Sequence, residues 1–301
     1  SGAPQGSILA GLFHVINSND LPDCHEEGES VVYVDDDTDS VHADHPEQLV
    51  DKLQKEVNNT VSWLKDNRLC VAGDKSKLLI VAHQELRNAR LTDKLAIQVD
   101  GQRIEETSSE KLLGLVINNK LSWKEHLYGD EDNPGLISQL KQRLGTLKRL
   151  SKHMSRDRLK MMVSGIFYSK LMYCLPVFGN VHGLDIYRDT KGRSSGMTIT
   201  DCNKLQVLQN SVNRLITGAR QGTATADLLE DTKSLSVQQM VAYYTLIMVH
   251  KITMTGKPDY LAKRLSLRQE NVRELRGWGG RTVETPDYSL ETSRAGFVYR
   301  G

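Results

Sequence analysis

The run Val31-Val32-Tyr33-Val34-Asp35-Asp36-Asp37 is the most informative stretch of this 301-residue chain. β-Branched and aromatic residues favour strands, whereas consecutive aspartates favour a turn. The sequence therefore predicts a strand that stops at the aspartates and resumes over residues 40–43, which makes a hairpin with an acidic tip. Adjacent carboxylates such as Asp35 and Asp36 repel each other unless a cation offsets them, and hard oxygen ligands suit Mg²⁺. A solvated acidic loop is the alternative interpretation.

Outward from the hairpin, hydrophobic periodicity predicts a region of mixed helices and strands. Apolar residues three to four positions apart predict a helix over residues 45–65, and a short helix is expected after Ser7. The dipeptide Asp100-Gly101 is a strong turn signal and predicts a hairpin over residues 95–106. Further strands are predicted at 78–82 and 111–117.

The second half of the chain has the pattern of a helical region. Four apolar stripes at helical spacing predict four helices, and they begin at Ile137, Leu159, Leu205 and Met240. Residues 188–201 are expected to form a flexible excursion. The predicted organisation is an α+β region with an antiparallel sheet at 1–118, an all-α region at 119–275 and an irregular tail at 276–301.

Charge is distributed unevenly, although the formal net charge is only +1. Residues 1–51 contain 12 acidic residues and no lysine or arginine, whereas the remainder carries 26 acidic and 39 basic residues. This asymmetry is typical of a cation site beside a polyanion site, with a bipolar solvated surface as the alternative. No apolar run approaches the roughly 20 residues of a membrane span, so no membrane partner is expected. The chain begins without methionine, and a longer protein is expected.

Cysteine usage favours a reducing compartment. The four cysteines are scattered without a CxxC pair, which argues against a disulfide framework. A zinc site is the less favoured alternative, because the spacing of its candidate ligands is irregular. Those candidates are Cys24, His25, His42 and His45.

Several ordered stretches resemble the reverse transcriptases of non-LTR, jockey-like retrotransposons. In that family a Pro-Gln-Gly segment precedes a Tyr-x-Asp-Asp hairpin at a similar spacing, as Pro4-Gln5-Gly6 precedes Tyr33-Val34-Asp35-Asp36 here. The resemblance rests on the joint order of these stretches, since no single one is specific. The matching stretches are residues 1–7, 19–22, 63–67, 74–80, 111–115, 121–126, 205–210 and 214–216.

The resemblance implies the carboxyl-terminal part of a polymerase palm at 1–118 and a helical thumb and post-thumb region at 119–275. It implies an RNA-directed DNA polymerase that adds dNTPs to a DNA primer on an RNA template by two-metal nucleotidyl transfer with Mg²⁺. Such an enzyme is expected inside the cell, in the cytoplasm and the nucleus. Asp35 and Asp36 would be the catalytic metal ligands, and Lys75 would protonate the leaving pyrophosphate.

The remaining implied contacts are to nucleic acid. Leu113-Gly114 matches the turn that grips the primer, where a missing side chain permits close approach. Between Ile137 and Cys174, nine basic residues face one acidic residue, which suits phosphate contacts or, alternatively, a solvated basic face. The implied template and dNTP contacts are Pro4, Gln5, Gly6 and Tyr33. The implied duplex-binding thumb residues are Lys141, Lys148, Arg149, Lys152, Arg156 and Arg158.

Two features depart from the family pattern. Asp37 stands where the family has a small hydroxyl residue, and it adds charge beside the site. The family's first palm motif, with a further catalytic aspartate, precedes the Pro-Gln-Gly segment, so this stretch alone is expected to be inactive. A catalytically inactive remnant that only binds nucleic acid and a viral RNA-templated RNA polymerase are the alternative interpretations.

Overall fold

The computed structural model describes residues 7–81, 95–179, 197–263 and 265. The chain divides into two compact units, residues 1–110 and 111–301. The fold is α+β, as the sequence predicts, with small sheets and helices in the first unit and mainly helices in the second. The predicted change of domain at residue 118 falls inside the second unit, and the predicted tail at 276–301 lies outside the described residues.

The described part of the first unit contains two long helices and a set of short strands. The helices are α1 (Ile8–Ser18) and α2 (Pro46–Asp66). The strands are β1 (Glu29–Tyr33), β2 (Asp36–Ser40), β3 (Leu78–Leu79), β4 (Ala96–Val99) and β5 (Gln102–Thr107). The chain then enters β6 (Ser109–Leu112) and β7 (Leu115–Asn118). Single 3₁₀ turns lie at Leu21–Cys24 and Gly73–Lys75.

The core of the first unit forms where α2 packs against the sheet of β3, β5 and β4. Antiparallel β4 and β5 place Ile97 opposite Ile104, and β3 runs parallel to β5. The predicted helix at 45–65 is confirmed as α2, and the predicted hairpin at 95–106 is confirmed as β4 and β5. The core side chains are Leu78, Ile80, Ile97 and Val99, against which Leu49, Leu53, Val57 and Val61 of α2 pack.

The described strands do not form one antiparallel sheet. β1–β2 and β6–β7 are separate two-stranded sheets, and β3–β5–β4 is a mixed three-stranded sheet. The predicted single strand at 111–117 is wrong, because the backbone reverses at Leu113 and Gly114, whose φ values are 45° and 84°. One glycine inside an apolar run is a weak turn signal, so the pattern hid the reversal. The strand predicted at 78–82 is confirmed at Leu78–Leu79, and residue 82 lies outside the described residues.

Helices packed around a buried core make up most of the described part of the second unit. They are α3 (Lys124–Tyr128), α4 (Leu136–Leu150), α5 (Arg156–Val163), α6 (Ser169–Met172), α7 (Leu175–Phe178), α8 (Ile199–Thr217), α9 (Thr225–Thr232), α10 (Val237–Thr255) and α11 (Asp259–Ala262). A 3₁₀ turn lies at Ser151–His153, and a π-helical turn at Ser164–Tyr168 joins α5 to α6. Three predicted apolar stripes lie on α4, α8 and α10, and the stripe that begins at Leu159 runs from α5 through the π-helical turn into α6. Fully buried core residues include Leu140, Leu147, Phe167, Phe178 and Leu205.

The start of α8 falls inside the predicted flexible excursion at 188–201. The Thr198 hydroxyl accepts the backbone N–H of Asp201 at 3.1 Å, and the Asp201 carboxylate accepts the N–H of Thr198 at 3.1 Å. This capping box fixes the first turn of the helix. The predicted flexible excursion is therefore wrong at residues 198–201. Residues 180–196 lie outside the described residues. Among the described helices, none combines the length and apolar composition that a membrane span requires.

Candidate functional site

The acidic hairpin has a tighter turn than the sequence suggested. β1 and β2 are antiparallel, and their last pair, Tyr33 opposite Asp36, leaves only Val34 and Asp35 in the turn. The predicted acidic turn over 35–37 is therefore corrected, since Asp36 and Asp37 belong to β2. β2 ends at Ser40, which is the residue where the sequence predicts the second strand to begin. A two-residue connection suits the twist of paired strands.

Val34 adopts a backbone conformation that β-branched residues rarely take. Its φ is 59°, in the left-handed region. Such strain persists only where surrounding structure holds it, and it is concentrated at functional sites. Here the carbonyl oxygen of Val34 accepts a hydrogen bond from His14 Nε2 on α1 at 2.6 Å. The hairpin tip is thereby tied to α1, with the side chains of Asp35 and Asp36 exposed.

The two tip carboxylates differ from the acidic residues that follow them. The Ser30 hydroxyl donates to Asp37 at 2.7 Å, and His25 Nε2 lies 2.8 Å from Asp39. In the described part of the chain, the carboxylates of Asp35 and Asp36 have neither a hydrogen-bond nor an ion-pair partner.

The carboxylates of the tip suit Mg²⁺, and they are too few to enclose a metal ion with protein ligands alone. Mg²⁺ in phosphoryl-transfer sites is typically held by one or two carboxylates, substrate phosphates and water. Asp35 and Asp36 would supply the two carboxylates that such a site takes from the protein. No cluster of three or more His, Cys, Asp or Glu arranged as a metal site occurs among residues 7–81, 95–179, 197–263 and 265.

The zinc interpretation finds no support around His25. Its Nδ1 lies 3.6 Å from the Cys24 sulfur and its Nε2 lies 2.8 Å from Asp39 Oδ1, so both ring nitrogens are engaged. Thr60 donates to the other carboxylate oxygen of Asp39 at 3.1 Å. Burial raises the pKa of Asp39, and the charge of Asp37 raises it further. These contacts pack the base of the hairpin against α2.

A buried glutamate fixes the loop that leads into β1. Glu56 of α2 is 1% exposed, and its carboxylate accepts the backbone N–H groups of Glu26, Glu27 and Gly28 at 3.1, 2.7 and 3.0 Å. Burial alone would raise the pKa of Glu56, but the three N–H groups outweigh it and hold the pKa below its usual value. The carboxylate therefore connects the core helix to the start of the hairpin.

The other predicted site residues of the first unit lie outside this tip. Tyr33 ends β1 and is 60% exposed. Lys75 is exposed at the end of the 3₁₀ turn before β3, and within the described residues no hydrogen bond or ion pair joins it to Asp35 or Asp36. The template contacts predicted at Pro4, Gln5 and Gly6 lie outside the described residues.

In the second unit, the predicted primer-gripping turn forms the tip of the β6–β7 hairpin. The Tyr173 hydroxyl donates to the carbonyl oxygen of Leu113 at 2.5 Å. A Cβ added to Gly114 would lie 3.3 Å from Tyr173 Cε1 and would require a φ of 84°. Tyr173 therefore packs directly on the turn, and both space and backbone conformation favour glycine there.

A groove of about 300 Å³ opens beside this turn. Its lining residues come from the β6–β7 turn, α4, α6 and the residue that follows α6, and they are Gly114, Arg143, Ser169, Lys170 and Tyr173. Arg143 Nη1 donates to the carbonyl oxygen of Ile166 at 2.5 Å, within the π-helical turn. π-Helical turns recur at functional sites, and this one supplies the carbonyl that holds the guanidinium.

Positive charge is concentrated in the groove. Burial lowers the pKa of Lys170, and the nearby charges of Arg143 and Lys111 lower it further. Like charges held close together raise the free energy of the unliganded protein, and an anion offsets that cost. The groove is therefore suited to bind a negatively charged group.

The sequence places Arg143 and Lys170 among nine basic residues that suit phosphate contacts but not in the predicted duplex-binding set, and it gives no signal for Tyr173. Both cations belong to the strongly basic stretch between residues 137 and 174, so composition indicated the region without indicating the residues. The predicted thumb residues do not line the groove. They are exposed on α4, the Ser151–His153 turn and α5, namely Lys141, Lys148, Arg149, Lys152, Arg156 and Arg158.

A buried histidine supports β7 and the helices behind the groove. His126 is 6% exposed, its ring centroid lies 4.8 Å from that of Phe178, and its Nδ1 accepts the backbone N–H of Val116 at 3.4 Å. Burial lowers the pKa of His126 to about 4, and the charge of Lys170 contributes. A proton on Nδ1 would face the N–H of Val116, so the fold requires the neutral ring.

The second unit is expected to lose stability as the pH falls from 6.5 to about 4. The unfolded chain protonates His126 near its ordinary pKa, whereas the folded chain does so only near 4, so unfolding takes up a proton across this window. The loss reaches roughly 3 kcal/mol. Thermal melts across this range should show that His126→Gln removes most of the pH dependence, while His153→Gln, at an exposed histidine, keeps it. Equal pH dependence in wild type and His126→Gln would contradict the assignment.

Comparison of the chain with models of known protein families, with curated proteins and with solved structures finds no match.

Proposed function

We propose that the chain is the carboxyl-terminal palm and the thumb of an RNA-directed DNA polymerase of the non-LTR retrotransposon kind. The observation that supports this most is the hairpin tip, where a strained two-residue turn presents Asp35 and Asp36 without partners among the described residues. The order of the polymerase-like stretches along the sequence supports it independently. The proposal places the enzyme inside the cell, in the cytoplasm and nucleus.

Within this proposal, Asp35 and Asp36 hold Mg²⁺, which neutralises charge on the phosphate oxygens of the incoming dNTP. The bond from His14 to the Val34 carbonyl keeps the turn in place, so the two carboxylates stay at the tip. Tyr33, which ends the adjoining strand, faces the primer end. Lys75 is the proposed donor of a proton to the leaving pyrophosphate.

The second unit binds the template–primer duplex in this proposal. The turn at Leu113 and Gly114 approaches the primer backbone, and Tyr173 holds that turn in position. The exposed basic residues of α4 and α5 contact phosphates. These contacts do not distinguish one base sequence from another, as is usual for contacts to the nucleic-acid backbone. The partners are thus an RNA template, a DNA primer and dNTPs.

A second candidate function is that of a catalytically inactive remnant that only binds nucleic acid. Two observations favour it. Asp37 adds a third carboxylate next to the tip, and within the described residues Lys75 makes no contact with the tip carboxylates. Both candidates predict duplex binding, and only the polymerase predicts nucleotide addition.

Duplex binding by the 301-residue chain is expected to depend steeply on salt. If about four to six basic side chains meet phosphates, the plot of log affinity against log salt should have a slope of roughly −4 to −5. Fluorescence anisotropy with a labelled RNA–DNA hybrid, titrated at several salt concentrations, measures this slope. Hybrids of unrelated sequence should bind with similar affinity. Failure to bind any hybrid at low salt would contradict both candidate functions.

A further inference from the structure

We propose that the outer face of α10 pairs with the same helix of a second copy of this chain, in antiparallel orientation. The proposal concerns the second unit alone and does not depend on the proposed polymerase activity. The outer face of α10 is the set of exposed residues Tyr243, Leu246, Ile247, His250 and Met254.

The composition of α10 is the first observation that carries the proposal. Its inner side enters the core through buried residues such as Met240 and Val241. The opposite side of a surface helix is ordinarily polar and charged, but here Leu246 and Met254 are 64% and 68% exposed. Lys251 is the only Lys, Arg, Asp or Glu among the 19 residues of α10, although about a quarter of an average domain is charged. Adjoining exposed apolar side chains of this kind mark an interaction surface.

The spacing of the outer face indicates that its partner is another helix. Four of its residues follow one another at intervals of four, three and four positions, namely Tyr243, Ile247, His250 and Met254. Alternating intervals of three and four are the repeat of paired helices, in which side chains of one helix fit between those of the other. The partner is therefore expected to present a helix with a matching row of side chains.

The same spacing favours a second copy of the chain as that partner. Intervals of four, three and four read the same in both directions, so an antiparallel copy places Tyr243 opposite Met254. It likewise places Ile247 opposite His250. Contact between a thioether and an aromatic ring is favourable, and a twofold axis forms it twice. Residues 266–301 offer no matching row, because no set of positions at these intervals there holds three large apolar side chains.

Charge does not oppose the pairing of two copies. Lys251 lies beside the outer face, and in the antiparallel register it is opposite Leu246 and not opposite another lysine. A lysine stem can cover apolar surface while its ammonium group stays in water. The formal net charge of the chain is only +1, so repulsion between whole copies is small. The face is short beside the roughly 800 Å² per partner of a standard interface, so the dimer should be weak, with a micromolar dissociation constant.

Sedimentation equilibrium of the 301-residue chain over a range of concentrations tests the pairing. We expect wild type to show a monomer–dimer equilibrium. Ile247→Glu and Met254→Glu place a charge in the interface, and each should raise the dissociation constant at least about tenfold. Val207→Glu, at an exposed apolar residue of α8, is the matched control and should dimerise like wild type. The substituted side chains are all exposed in the single chain, so melting temperatures of dilute samples should not fall.

Two outcomes of this experiment would overturn the proposal. One is a wild-type chain that stays monomeric at every concentration. The other is a dimer that neither glutamate variant of α10 weakens, because the copies would then associate through another surface.

Introduced thiols test the orientation and the identity of the partner. Tyr243→Cys and Met254→Cys proteins are mixed and oxidised, and peptide mass spectrometry identifies the disulfides. Antiparallel pairing predicts a disulfide from position 243 of one copy to position 254 of the other, whereas disulfides between two positions 243 would overturn the register. In dilute, monomeric samples the thiol of Met254→Cys should react rapidly with a maleimide. Slow reaction there would favour coverage by residues 266–301 of the same chain and would overturn the second copy.

Discussion

Replacing Asp35 with asparagine is expected to reduce primer extension by several orders of magnitude without lowering the melting temperature. The carboxylate lies in an exposed turn and has no partner among the described residues, so folding does not depend on its charge. Removing it also relieves repulsion with Asp36, and the melting temperature should stay constant or rise slightly. Loss of a metal ligand, in contrast, removes charge stabilisation that nucleotidyl transfer needs.

The measurement requires a polypeptide that joins this chain to the fingers and first palm segment of a retrotransposon reverse transcriptase. Single-turnover extension on an RNA template gives the rate, and thermal melting gives the stability. Asp44→Asn, at an exposed residue beyond β2, is the matched control and should leave both unchanged. A large drop in melting temperature for Asp35→Asn would indicate that the carboxylate has a structural role instead.

Neutralising Lys148, Arg149 and Lys152 together is expected to flatten the salt dependence of hybrid binding by about two to three units. The three side chains are exposed on α4 and the turn that follows it. Phosphate contacts release counterions in proportion to their number, so three lost contacts change the slope, and the affinity for all sequences should fall alike. Anisotropy titrations of the triple glutamine variant of the 301-residue chain measure both quantities.

A matched variant separates this effect from the loss of net charge. Lys233, Lys251 and Lys257 are also exposed lysines of the second unit, and none of them lines the groove or belongs to the predicted thumb set. Glutamine at these three positions should leave the slope nearly unchanged. Equal slopes for the two triple variants would show that the basic residues at the end of α4 and in the turn after it form a solvated surface and not a duplex-binding one.

The acidic hairpin shows what local sequence can predict. A continuous run of strand formers followed by aspartates predicts a hairpin with an acidic tip, and the first strand and the tip are found. The register was not predictable, because it requires Val34 to adopt a φ of 59°, which its β-branched side chain disfavours. The bond from His14 to the Val34 carbonyl helps to hold that conformation, and His14 lies 20 positions earlier in the sequence.

The groove of the second unit depends even more on tertiary contacts. The basic stretch was evident from composition, and Gly114 was identified through the resemblance. Arg143 donates to the Ile166 carbonyl within the π-helical turn at Ser164–Tyr168, and the apolar periodicity of the sequence gives no signal for that turn. Tyr173, which packs on the β6–β7 turn, lies 60 residues along the chain from Leu113. Periodicity and turn chemistry report on neighbours in sequence and therefore could not reveal this site.

Template-directed addition of a single nucleotide tests the proposed polymerase most directly. The joined polypeptide is mixed with an RNA template, a labelled DNA primer, Mg²⁺ and one nucleotide at a time. The predicted result is extension only with the dNTP that is complementary to the templating base, and loss of that extension in Asp35→Asn. Failure to add any dNTP while the hybrid remains bound would contradict the polymerase and favour the inactive remnant. Addition of ribonucleotides alone would contradict DNA synthesis and favour an RNA-templated RNA polymerase.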